Sequence, residues 1–156
     1  MNTLKHYDSR PDTLKHRRVV RDNINTIIVE LVSRSLEHDE SKLHEPELSC
    51  FNIYTPKLKG TTYGSDEYRQ NMSEMREAID HHDAHNRHHP EHFHDGIKGM
   101  NLIDLTEMFC DWVAATKRHD DGDIRRSIKH NQERFGYSDD VKAILLNTVL
   151  ALEATK

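Results

Sequence analysis

Between Asp80 and His94 the chain reads Asp80-His81-His82-Asp83-Ala84-His85-Asn86-Arg87-His88-His89-Pro90-Glu91-His92-Phe93-His94, a stretch that holds seven of its 13 histidines. Imidazole is the commonest protein metal ligand, and interleaved carboxylates add hard oxygen donors, a mixture that suits Mn, Fe, Co, Ni, Zn or Mg. A solvated polar loop can have the same composition. Two other features favour a metal: a His38-Asp39 pair far upstream, and an acidic row of Asp104, Glu107 and Asp111 downstream.

The spacing of these residues says which way they point. His38 lies seven residues after Leu31, on the apolar face of a helix that persists that far, and Asp39 beside it can offer a carboxylate oxygen to the same ion. Lys42, one turn on, can reach an anionic substrate. His82 and Asn86 continue the row set by Ile79, whereas His81 and His85 are rotated away, so His82 is the better ligand of its pair. Pro90 pushes His89 out of the helical region, which leaves His88, His89, Glu91 and His92 as a loop over the same end. Asp104, Glu107 and Asp111 stand at i, i+3 and i+7 beside Leu105, Met108 and Trp112. Asp104 can simply cap a helix that starts after Asn101, but a carboxylate at the core edge, as Asp111 is, wants a cation. Ser127, Asn131 and Arg134 repeat at i, i+4 and i+7 with Arg118, Arg125 and Arg126 nearby, a row that either cradles phosphate or pairs with the surplus acids.

Helices must position these groups. Val20, Ile24, Ile27, Ile28 and Leu31 mark an amphipathic helix from about Pro11 to Leu36; Tyr68, Met72, Met75 and Ile79 mark a second behind Ser65. A third runs from Leu102 to Ala115 after Asn101, a fourth from Ile124 to Phe135 closed by Gly136, and a fifth from Val141 to Leu152 behind Ser138. No alternating strand pattern appears, so the expectation is an all-α, compact single-domain bundle of about five to six helices spanning residues 1–156. Residues 45–65, with Pro56, Gly60, Tyr63 and Gly64, read as a long loop, either a lid over the site or a surface excursion.

The bulk properties set limits. Apolar residues make up 35% and mean hydropathy is −0.87, so the core is modest and leans on a metal, on a partner subunit as in a homo-oligomer, or on both. Cys50 and Cys110 form no disulfide framework, and Cys110 falls in an apolar pattern that suits a buried thiol. Neither an apolar leader nor eighteen consecutive apolar residues occur, so no signal peptide or membrane span is expected and a cytoplasmic location fits. A net charge of −5 argues against a broad nucleic-acid surface and leaves nucleotides and other small phosphates as easier ligands.

The order His38-Asp39 with Lys42, a later histidine pair, then an aspartate within an apolar helix resembles the HD-domain superfamily of metal-dependent phosphohydrolases. The strings His38-Asp39-Glu40-Ser41-Lys42, Asn86-Arg87-His88-His89-Pro90-Glu91-His92, Met100-Asn101-Leu102-Ile103-Asp104-Leu105 and Glu107-Met108-Phe109-Cys110-Asp111-Trp112 more closely resemble an uncharacterised family of small bacterial and phage proteins, from about Tyr7 to Leu152. A phage-encoded member would act in the host cytoplasm. The superfamily resemblance implies an HD-like fold and metal ligands at His38, Asp39 and Asp111, with His82 or His81 as the additional histidine of two-metal members. His89 or His88 would reach a second ion. The superfamily's first histidine corresponds to His16, which is 22 residues from His38 and so about 33 Å away in an unbroken helix. Only a fold-back near Asp22-Asn23 would bring them together; otherwise His82 and His89 complete the site.

The expected function is hydrolysis of a phosphate ester on a nucleotide or related molecule, by one or two divalent ions that acidify water and polarise a phosphoryl oxygen. Lys42 and an arginine would stabilise developing charge, Glu91 or Asp104 would carry the proton, and Arg118, Ser127, Asn131 and Arg134 would bind substrate. Two alternatives use the same residues: an HD-type di-iron oxygenase, and a non-enzymatic binding or inhibitory module with a structural metal.

Overall fold

Four helix starts in this chain are set by side chains that accept the first orphan amides. Ser65 Oγ accepts from the Tyr68 amide at 3.1 Å, Asn101 Oδ1 from Ile103 and Asp104, Asp123 from Arg125, and Ser138 from Val141. Asn101 and Asp104 form a reciprocal capping box. A computed structural model describes residues 7–62, 65–118 and 122–155. Among the described residues there are seven α-helices, three 3₁₀ turns and no strand, so the protein is all-α. The helices are α1 (Arg10–Glu37), α2 (Glu47–Gly60), α3 (Asp66–Glu74), α4 (Arg76–His85), α5 (Leu102–Thr116), α6 (Ile124–Phe135) and α7 (Asp139–Glu153). The 3₁₀ turns are Glu40–Leu43, Pro90–His92 and Gly96–Gly99.

The chain divides into two units, Met1–Leu36 and Glu37–Lys156. In the first, α1 runs unbroken through Asp22 and Asn23, so the fold-back considered for His16 does not form, and His16 is exposed. The expected inward stripe of α1 is a correction: the helix fully buries no residue, and Val20, Ile24, Ile27 and Ile28 are exposed.

In the second unit α5, α6 and α7 enclose a core of Phe109, Ile128, Tyr137, Leu145 and Val149, with Trp112 stacked on Phe135 at its edge. Gly136 ends α6 at φ +65°, a left-handed conformation that glycine adopts without the usual Cβ penalty. Residues 45–65 are not a loop: α2 occupies Glu47–Gly60 despite Pro56. Leu48, Phe51, Tyr54 and Leu58 recur at helical spacing and are partly buried, and α2 packs on α4 and on the turn Glu40–Leu43, which offsets the proline's missing amide. Tyr63 and Gly64 of the supposed lid lie outside the described residues. Cys110 is another correction, for it is exposed on α5, one residue round the helix from the buried Phe109. No described helix is long and apolar enough to cross a membrane.

Because Phe109 is 3% exposed where three helices meet, Phe109→Ala should cost about 3–5 kcal/mol in urea unfolding. A loss under about 1 kcal/mol would mean that this cluster is not the core.

Candidate metal centre

Asp39 turns the chain out of α1 with φ +59°, the one positive-φ non-glycine among the described residues, and aspartate is among the few side chains that tolerate it. The turn presents His38 and Asp39 to α4, to the following loop and to α5. Asp39, His82, His88 and His89 each offer one ligand atom, and these atoms all lie within 4.8 Å of one another. His82 Nε2 stands 3.0 Å from His89 Nε2 and 3.2 Å from Asp39 Oδ1, and His88 Nε2 stands 3.5 Å from that oxygen. Two donors about 2.1 Å from one ion are separated by about 3.0 Å at a right angle and about 3.4 Å at the tetrahedral angle, so these three separations are compatible with donors that share one ion.

Burial and hydrogen bonding support the same reading. His88 is 2% exposed, yet neither of its ring nitrogens has a hydrogen-bond partner, and Asp39 Oδ1 has none either. Their contacts with each other fall short of hydrogen-bond geometry although the distances are short. Buried polar atoms left this way are costly unless a shared partner satisfies them, and a divalent cation fits this donor set.

Each converging imidazole is backed by a carboxylate. His82 Nδ1 is 2.8 Å from Glu47 Oε2, His38 Nδ1 is 3.0 Å and His88 Nδ1 3.1 Å from Glu107 Oε1, and His89 Nδ1 is 3.6 Å from Asp83 Oδ1. For His82, the Glu47 carboxylate on Nδ1 fixes the tautomer in which Nε2 carries the lone pair, the arrangement commonly seen behind metal-bound histidine; the His88 and His89 contacts are close approaches without hydrogen-bond geometry. Glu47 is fully buried, and Ser41 Oγ and His81 Nδ1 also reach it at 3.1 and 2.7 Å. Asn86 donates to Ser41 Oγ and to the His82 carbonyl, locking that end of α4.

A second group of donors adjoins the first. His38 Nε2 lies 3.8 Å from Asp39 Oδ2 and 3.8 Å from Asp111 Oδ1, so Asp39 faces His82, His88 and His89 with one oxygen and His38 with the other. Asp111 and Glu107, of which only Glu107 is at hydrogen-bond distance, push the His38 pKa up to about 10. Burial pulls the Asp39 pKa upward, but His82 and Lys42 outweigh it and hold the carboxyl well below its usual range. Burial, reinforced by His88 and His82, lowers His89 to about 3, which keeps its lone pair available. Asp111 is likewise lowered, with His38 overcoming burial.

Of the metal ligands expected from sequence, His38, Asp39, His82, His89 and Asp111 all come to this region. His88 belongs to the inner set as well, and of the positioning carboxylates Glu47 was not anticipated and Glu107 was named only within the acidic row. Lys42 Nζ bonds Asp39 Oδ2 at 2.7 Å and lies over the Phe51 ring. Asp104 is fully buried, its two oxygens are taken by the Arg87 fork at 3.0 and 2.9 Å, and one also accepts from the Asn101 amide, the capping role its spacing allowed. Glu91 pairs with Arg134 at 2.6 Å and groups with Asp83 and His89 at the solvent edge. Asn131 donates to Ser127 within α6, and Arg118 is exposed just past α5; no ready-made phosphate cradle forms among these three.

An all-α protein with buried histidine and carboxylate groups that could hold a metal ion is the class that fold and geometry define. The sequence profile of a family of unknown function (DUF5662) matches residues 5–152, and the chain belongs to that family. Comparison with curated proteins and with solved structures finds no match.

Two outcomes are expected. Glu47→Gln should weaken Zn or Mn affinity roughly 10–100-fold in calorimetric titration, because the amide no longer anchors His82 as an anion would; an unchanged affinity would remove Glu47 from the site. In the metal-free protein, the raised His38 pKa contributes stability that is complete below the unfolded value of about 6.5 and lost as pH rises through about 10. Denaturation midpoints should therefore fall between those pH values, and the fall should disappear in His38→Gln.

Proposed function

We propose that this protein is a metal-dependent phosphohydrolase acting on a nucleotide or a related phosphate ester. The observation that carries the reading is the convergence of Asp39, His82, His88 and His89 on one point, with His38 and Asp111 on the far side of Asp39. The order of these residues is similar to that of HD-domain phosphohydrolases, which supports the choice of chemistry. A divalent ion held there would supply a Lewis acid for a phosphoryl oxygen and a more acidic water at neutral pH.

The chain's own residues supply the rest. Lys42, tethered to Asp39 and half-buried, places an ammonium beside the donor cluster, where it can meet the charge that grows on a transferring phosphoryl group. Arg134, paired with Glu91 at 2.6 Å, is a second cation at the solvent edge near His89, where the outer part of a substrate could meet it. Glu91 is exposed and close to His89, so it rather than Asp104 is the carboxylate able to pass a proton to solvent.

A structural-metal reading uses one specific feature: three imidazoles and one carboxylate can by themselves close a tetrahedral shell. The two readings separate in one experiment. Untagged protein is analysed for bound metal, then assayed for phosphate release from nucleotides with Mn, Co, Ni or Mg added. Hydrolysis predicts ion-dependent turnover that falls about 100-fold or more in Lys42→Met at unchanged metal content, whereas Asp111→Asn lowers metal occupancy. Metal-loaded protein that releases no phosphate from any common nucleotide would refute the hydrolase and favour the closed structural shell.

A further inference from the structure

The unit Met1–Leu36 contains one helix among its described residues, and a single helix has no core of its own against which to bury an apolar face. Val20, Ile24, Ile27 and Ile28, on one side of α1, are between 40 and 52% exposed, and Leu31 continues the row. Exposed aliphatic residues clustered at helical spacing mark an interaction surface more often than chance scatter does.

We propose that this face docks a second copy of the chain, with the two α1 helices packed antiparallel about a two-fold axis. Three observations select that occupant. Val20, Ile24, Ile27 and Leu31 are spaced four, three and four apart, a palindromic row, so inverting one helix sets Val20 against the partner's Leu31 and Ile24 against the partner's Ile27. The charges run the same way: Arg10, Lys15, Arg17, Arg18 and Arg21 outnumber Asp12 and Asp22 in the first half, while Glu30 and Glu37 outnumber Arg34 in the second. Antiparallel packing therefore lays a basic half on an acidic one, and parallel packing would not. Arg34, which inversion brings toward the partner's Arg17, is drawn back to Glu30 at 3.8 Å.

The area is adequate. Five half-covered aliphatic side chains offer roughly 400 Å² of apolar surface per copy, and with apolar atoms at about 60% of an interface this implies roughly 1,300 Å² in total, within the range of stable complexes. The low apolar share of the chain fits a fold that completes its burial by association.

Light scattering after size exclusion at micromolar concentration tests this directly. The wild-type mass should be twice 18.3 kDa, and the double variant Ile24→Asp, Ile27→Asp should run as one chain with its helical circular dichroism and bound metal retained. Ile144→Asp, at an equally exposed position on α7, should leave the doubled mass unchanged. A wild-type mass of one chain, or a doubled mass that persists in the folded double variant, would overturn the proposal. If the double variant does not fold, the wild-type mass decides alone.

Discussion

Contact between carboxylates and the Nδ1 atoms of histidines is what the site depends on. Glu47 holds His82 and Glu107 holds His38 by hydrogen bonds, while Glu107 and Asp83 stand close behind His88 and His89, so four Nε2 atoms are turned toward Asp39 and Asp111. Without those backing charges an imidazole could present either nitrogen and rotate about its side-chain bonds, and the donor set would lose its aim. Glu47 and Glu107 come from α2 and α5, elements far apart in sequence, and each must fold for the histidines on and after α4 to be placed.

α5 shows how one helix serves both a core and a site. Phe109, Trp112 and Val113 face α6 and α7, while Asp104, Glu107 and Asp111 line the other side. Three carboxylates on one helical face repel one another, and each has found a cationic or imidazole partner: Arg87 for Asp104, His38 for Glu107 and for Asp111. The Arg87 pair ties the loop after α4 to the start of α5, fixing the adjacent His88 relative to Glu107. Carboxylates in excess of the local cations remain around Asp39, and a divalent ion would offset that excess.

Much of this was legible because the relevant signals are local. Asn101, Ser65, Ser138 and Gly136 announce helix ends by capping chemistry, and the structure places the ends there. His82 and Asp111 were picked out because each sits beside an apolar stripe whose phase gives its direction, and His38-Asp39 because the pair couples an imidazole to a carboxylate. Glu47 was not found, because Pro46, Pro56 and Gly60 made its segment read as a loop and hid the stripe of Leu48, Phe51, Tyr54 and Leu58. Glu107 was given no role beyond membership of the acidic row because its partners, His38 and His88, are 69 and 19 positions away and no periodicity encodes them. The face of α1 was misdirected for the complementary reason: a stripe says that a surface wants cover, and it does not say by which chain.

The central claim is that histidine nitrogens and an Asp39 oxygen bind one ion together, and X-ray absorption at the edge of the metal bound to untagged protein reads that shell most directly. The account predicts two to three imidazoles at about 2.0–2.1 Å with at least one oxygen, and loss of the imidazole signal in His82→Gln combined with His88→Gln. An all-oxygen shell with no imidazole scattering, or a spectrum unchanged by those substitutions, would contradict it.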